Sequence, residues 1–175
     1  MESRGVTKEP WLAPDVVAWC RLVLNSYRRW VGGELIERHG SPEAQACALF
    51  AVPCVVVTHG AGADPMLTYG NRTALTLFET TWDELRRMPS RLTAEPVNQA
   101  ERAQMLARAA AHGYIADYRG IRISATGRRF LVEDATVWNV VTPDGAHVGQ
   151  AATFSTWRFL AREAIVYGDG PETTG

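Results

Sequence analysis

After Gly113 the apolar pattern changes period. Up to His112 the hydrophobic residues recur at helical spacing. Beyond it they alternate, in three stretches: Tyr114–Ser124, Arg129–Val141 and Val148–Trp157. Twofold alternation marks strands with one buried face. Thr126-Gly127 and Pro143-Asp144-Gly145 separate the stretches, and such short turn sequences join antiparallel neighbours. A meander of this kind must bury its apolar face against something else. The chain ahead of it supplies helices for that purpose, and this segregation predicts an α+β fold.

The first half of the chain is punctuated by caps. Asp15 is placed to start a helix that runs to about Trp30 and stops at Gly32-Gly33. Val16, Cys20, Val23, Tyr27 and Trp30 form its apolar stripe, widened by Trp19 and Leu22. Ser41-Pro42-Glu43 opens a second helix through Leu49. Pro53 resets the backbone, and the β-branched run Cys54–His59 predicts a strand. A turn over residues 60–65 leads to a short strand, Met66–Tyr69. Asn71 is placed to cap the next helix, and Thr81-Trp82-Asp83-Glu84 is a capping box. Asn98 with Glu101 predicts the start of an alanine-rich helix that ends at Gly113. The expected result is a five-stranded antiparallel sheet with helices on one face and an N-terminal helical extension. Residues 1–40 are assigned to an arm and helix, 41–160 to the sheet domain and 161–175 to a polar tail.

Charge and cysteine usage narrow the classes. Net charge is −1, without the basic excess that nucleic-acid binding requires, so no nucleic-acid partner is expected. Cys20, Cys47 and Cys54 show no CxxC spacing, which predicts neither a disulfide framework nor a zinc site. A reducing cytoplasm is the expected compartment. The longest apolar run, residues 51–57, contains Pro53 and is too short for a bilayer, so no membrane contact is expected. His39, His112 and His147 have no metal-site spacing, and no metal is expected. Haem is not expected either; His112, near a helix end, is the nearest approach to an axial ligand. The cofactor, if there is one, stays unnamed.

Several strings carry a family resemblance. Strand–turn–strand, then the helix at Asn71-Arg72-Thr73-Ala74-Leu75-Thr76-Leu77-Phe78, then Trp82-Asp83-Glu84-Leu85, resembles the front half of a PAS domain; the meander resembles its back half. Three longer stretches look like the MEKHLA family: Tyr69-Gly70-Asn71-Arg72, Pro89-Ser90-Arg91-Leu92-Thr93-Ala94-Glu95-Pro96, and Gly113–Ser124. Val137-Trp138-Asn139 and Gly149-Gln150-Ala151-Ala152-Thr153-Phe154 are similar to it too. That PAS-like family occurs as small stand-alone bacterial proteins, the type this chain resembles, and at the C-terminus of plant homeodomain-zipper regulators. The literal string that names the family is absent here. The resemblance implies a sensor or ligand-binding fold, without naming a ligand or a reaction. No Asn-Cys-Arg-Phe string is present, so a covalent flavin is not implied.

Candidate ligand-binding residues follow from residue type and expected placement. Arg91, Glu95 and Arg102 surround a helix start that offers free N–H groups, a setting for an anion or for a structural ion-pair network. Tyr114, Tyr118 and Arg122 fall on one face of a regular strand, with Ile115, Ile121 and Ile123 on the other. Trp138 shares a face with Phe130, Val132, Asp134 and Thr136, either as cavity wall or as core. His59 ends a strand beside a glycine turn, as a ligand anchor, an acid/base or a packed residue. Tyr69 and Asn71 complete the set.

Three functions are consistent with these residues. The first is a sensing module with a small, anionic ligand held between sheet and helices, signalling through a partner or a homodimer formed by the stripe of the first helix; that stripe fits packing on its own sheet equally well. The second is a small cofactor-independent enzyme with His59 or Glu95 as acid/base and Arg91 or Arg122 as anion stabiliser; a cone-shaped α+β fold would favour it. The third is an interaction protein with a filled core.

Overall fold

The structure, a computed structural model, describes residues 8–161. The expected tail lies almost wholly outside the described residues, as does the first half of the expected arm. A 3-10 turn at Pro10–Leu12 leads into α1 (Pro14–Val31) and α2 (Pro42–Ala51). Strands β1 (Val55–Gly60) and β2 (Leu67–Gly70) follow, then α3 (Arg72–Leu77), α4 (Trp82–Leu85) and α5 (Pro96–His112). The C-terminal strands are β3 (Tyr114–Ile123), β4 (Arg129–Val141), β5 (His147–Phe154) and β6 (Thr156–Phe159).

Most caps act where the sequence places them. Ser41 Oγ accepts from the Ala44 amide at 3.1 Å. Asn71 Oδ1 accepts from Ala74 at 3.1 Å, and Thr81 with Glu84 forms a reciprocal capping box. Two helix starts differ from expectation. α1 begins at Pro14 behind Ala13, not at Asp15, and α5 begins at Pro96 behind Glu95, not at Asn98. In both cases a proline takes the first helical position, where its missing N–H costs nothing and its fixed φ presets the turn.

The sheet order is β2-β1-β5-β4-β3, antiparallel throughout, with β6 also pairing β4. Thr136 faces Thr153 and Glu133 faces Thr156. Two residues intervene on each strand, so β6 continues β5 in unbroken register and the sheet is five-stranded in effect. Ser155, at the break, falls opposite Asp134, whose φ is +52°.

One face of the sheet packs under α3 and α5. Ala74, Leu77, Met105 and Ala109 meet Val55, Phe130, Val132, Ala135, Val137 and Phe154 there. The other face is covered by α1 and α2. Val16, Cys20, Leu24, Leu49 and Phe50 pack with Val56 and Tyr69, and Val23 packs with Trp138, Val140 and Ala151. The N-terminal extension is therefore a second layer. Trp30 Nε1 donates to the Asn139 carbonyl at 3.0 Å. Burying this stripe at roughly 25 cal/mol per Å² of apolar surface is its contribution to the fold. The stripe expected as a dimer contact thus packs on the chain's own sheet, the alternative that fitted it equally well.

Three bulges decide which side chains face which layer. In the β1–β2 pair, Thr58 faces Tyr69 but His59 faces Leu67, so β2 holds one extra residue. In the β3–β4 pair the register shifts twice, between Ile115 and Tyr118 and between Tyr118 and Gly120. Asp117 (φ +56°) and Asp134 (φ +52°) occupy these irregularities, in the left-handed region that aspartate tolerates better than most residues. Each bulge inverts the side-chain alternation beyond it.

Candidate functional site

The α3–α5 side of the sheet encloses a cavity of about 70 Å³, room for a handful of waters or one small compact molecule. Val57, Phe78, Met105, Val132, Val137 and Phe154 give it apolar walls. Arg102, Tyr118, Arg122, His59, Thr93 and Gln150 bring polar atoms to the same space. Its mouth opens into a groove between the turn after β1 and α5, where His59, Arg102, Leu106 and Gln150 line both spaces.

The β3 bulge builds the cationic wall. Tyr118 turns inward and crosses the space above Gly120, where any Cβ would collide with the phenol. Arg122 Nη2 donates to Tyr118 Oη at 2.9 Å, and Nη1 donates to the Ile121 carbonyl at 2.7 Å. Tyr118 Oη donates in turn to Glu101 Oε2 at 2.9 Å. Burial, above all, raises the Tyr118 pKa, against the nearby charge of Arg122. Arg102 reaches in from α5. Among the described residues it forms no ion pair with a carboxylate, and neither does Arg122. Burial first, and the charge of Arg122 second, pushes the Arg102 pKa down to about 10. A guanidinium held in such a place is an unanswered cation.

His59 stands across the β1 edge of this space. Its Nδ1 lies 2.8 Å from the Gly60 carbonyl. A carbonyl only accepts, so Nδ1 carries the proton. Burial lowers the ring's pKa and Arg102 adds to the effect, so the imidazole is neutral at pH 7. A polar row runs sideways from it, because Gln150 faces His59 on one side and Asn139 on the other. Gln150 Nε2 donates to Leu106 O at 3.0 Å, and Asn139 Nδ2 donates to Ala110 O at 3.1 Å, tying α5 to the sheet.

The cavity thus gathers four of the residues singled out from the sequence: His59, Arg102, Tyr118 and Arg122. The others go elsewhere. Arg91 is exposed and pairs with Asp64 at 3.3 Å. Glu95 pairs with Arg129 at 2.6 Å. Of the expected cluster, Arg91 and Arg102 line the groove at the cavity mouth, while Glu95 is drawn off to Arg129. Tyr69 lies on the α1 side, its hydroxyl beside the Cys20 thiol. Burial raises both groups, Cys20 to about 12.

Asn71 is a structural hub. Its Oδ1 accepts from Val56 at 3.0 Å as well as from Ala74, and its Nδ2 donates to Cys54 O at 2.8 Å. Trp138 is fully buried under α1 and donates to Val23 O at 3.2 Å. The bulge at Asp134 separates it from the face of Phe130 and Val132 that it was expected to share. Tyr114 is likewise separated from Tyr118 and is exposed, while Ile115 packs inward. Gln150 and Met105 line the cavity without having been singled out; their only sequence signal is an inward position on a strand and a helix.

Comparison with known proteins assigns the fold to a family. The sequence matches the MEKHLA domain over residues 17–159. The chain belongs to the MEKHLA domain family. The homeobox-leucine zipper protein HOX29 of Oryza sativa subsp. indica is 27% identical over 154 residues, and ATHB-9 of Arabidopsis thaliana is 24% identical over 157 residues. Each alignment covers 85% of this chain but 18% of the relative, so the chain spans under a fifth of their length. Among solved structures, the MEKHLA chain is similar to the PAS domain of a protein from Colwellia psychrerythraea. The TM-score is 0.57 at 13% identity, covering 67% of this chain and 95% of that one. It is also similar to the light-state dimer of the fungal blue-light photoreceptor Vivid, with TM-score 0.52 at 11% identity, covering 81% and 93%. These likenesses establish a PAS-like fold.

A cysteine-linked flavin does not fit the MEKHLA cavity, because none of the three cysteines lines it. Cys20 is buried on the α1 side, Cys47 is exposed on α2, and Cys54 precedes β1. No helix among the described residues is long and apolar enough to cross a membrane.

Proposed function

We propose that this MEKHLA domain is a small-molecule sensing module whose cavity holds an anionic ligand. One observation carries the proposal: Arg102 and Arg122 converge on the cavity without a carboxylate partner among the described residues. An anion there would gain charge-assisted hydrogen bonds from two guanidinium forks and relieve the repulsion between them. Arg102 sits on α5, and α5 is tied to the sheet through Leu106 O and Ala110 O. A ligand that pulls on Arg102 therefore acts on a helix bonded to the strands beneath it. Cytoplasmic placement belongs to the same proposal and is supported by three free thiols.

The test is thermal unfolding with added butyrate and with added inorganic phosphate. One or both should raise the melting temperature of the unaltered chain and leave that of Arg102→Met unmoved. No shift with either anion, or an equal shift in the variant, would count against the proposal.

A second reading, cofactor-independent acid/base catalysis in the same cavity, is favoured by the neutral His59 with its free Nε2. Glu95 and Arg91 are engaged elsewhere, which leaves a base without an acid. Exchange of solvent deuterium into a bound carboxylic acid, followed by proton NMR, would favour this reading.

A further inference from the structure

His59 lines the cavity and holds one unused acceptor. With its proton on Nδ1, Nε2 carries a lone pair. That atom is buried and has no partner among the described residues. A buried acceptor without a donor is costly and calls for explanation. The cavity therefore has two polar demands: a negative group for the arginines and a hydrogen-bond donor for His59.

Charge and wall chemistry narrow the ligand further. Arg102 and Arg122 bring two positive charges, and Glu101 answers one through Tyr118. With His59 neutral, the balance suits a monoanion. The planar guanidinium forks match a carboxylate. The remaining walls, including Val57, Phe78, Val132 and Phe154, are apolar. A polyanion would press polar oxygens against them without partners.

We propose that the ligand is a short-chain hydroxy acid. Its carboxylate lies between Arg102 and Arg122, its hydroxyl donates to His59 Nε2, and its hydrocarbon part lies on the apolar wall. An ammonium in place of the hydroxyl would add a positive charge beside two arginines, so an amino acid is rejected. The identification rests on the anion reading of the cavity proposed above.

The experiment is calorimetric titration of the full chain with 2-hydroxybutyrate, 3-hydroxybutyrate, butyrate, 2-aminobutyrate and inorganic phosphate. At least one hydroxybutyrate should bind roughly three- to tenfold tighter than butyrate, the effect of one added hydrogen bond. His59→Leu should erase that difference. The comparison of ligands on the unaltered chain needs no variant, so the inference stays testable if His59→Leu fails to fold. Equal binding of butyrate and both hydroxybutyrates would overturn the hydroxyl contact and leave the anion site standing. Tighter binding of phosphate or 2-aminobutyrate would overturn the hydroxy acid. Binding of none of the five, or binding that Arg102→Met does not weaken, would overturn the anion site as well.

Discussion

Arg102→Met should make the ligand-free protein more stable while removing its anion site. The guanidinium pKa falls from the ordinary 12.5 to about 10. At roughly 1.36 kcal/mol per unit, keeping it charged in the folded state costs about 3 kcal/mol. Arg102 is partly exposed at the cavity mouth, and solvent screening reduces that figure to about 2 kcal/mol. Methionine keeps an unbranched stem against the same wall and drops the charge. The expected gain is about 1–2 kcal/mol, or a rise of about 3–6 °C in melting temperature for a chain of this size. The penalty is fully present at neutral pH, where both folded and unfolded states are charged. It shrinks as pH rises past the folded value of about 10, because the folded state then releases its proton first. Urea unfolding followed by tryptophan fluorescence, in a buffer without carboxylate or phosphate, measures the difference. Arg102→Lys keeps the charge and should show no gain. A loss of about 1 kcal/mol or more in Arg102→Met would refute the reasoning, since it would mean that Arg102 contributes a stabilising interaction of its own.

Two further outcomes are expected. Asn71→Ala orphans the Val56 and Ala74 amides and the Cys54 carbonyl, and should cost about 3–5 kcal/mol in chemical denaturation. The folded fraction should keep its anion affinity; a stable variant with lost affinity would return Asn71 to the ligand site. His59 is held neutral mainly by burial, helped by Arg102 and His147 and opposed by Gly60 O. Its folded pKa lies below the unfolded value of about 6.5, so its contribution is present above that pH and lost as pH falls toward the folded pKa. Denaturation midpoints measured down the acid side should show this loss, and His59→Leu should flatten it.

Local chemistry was legible in the sequence. Ser41, Asn71 and the Thr81–Glu84 box cap their helices as residue type dictates, because a cap is satisfied by atoms within a few residues. The two helix starts lie ahead of Asp15 and Asn98 because a proline one or two residues earlier takes the first helical position. The partition of the site residues was less legible. Arg102 and Arg122 were visible as arginines, but their lack of acidic partners was not. Glu95 goes to Arg129, thirty-four positions away, and only the folded chain shows that this pairing leaves Arg102 unanswered.

By itself the sequence determined the elements, their order, the antiparallel meander and the family. These follow from period, turn residues and recurring strings, all of which are local or linear. Facing was decided by tertiary structure. Strict alternation puts Tyr114 with Tyr118, and Trp138 with Phe130 and Val132. The bulges at Asp117 and Asp134 separate both sets, and the extra residue in β2 sets Leu67 opposite His59 while Tyr69 stays opposite Thr58. A bulge forms where two strands disagree in length between shared anchors, so it belongs to the pair rather than to either strand. One residue of slip moves every side chain beyond it to the other face. That is why Trp138 lies in the core under α1, while Tyr118 and Arg122 face the cavity.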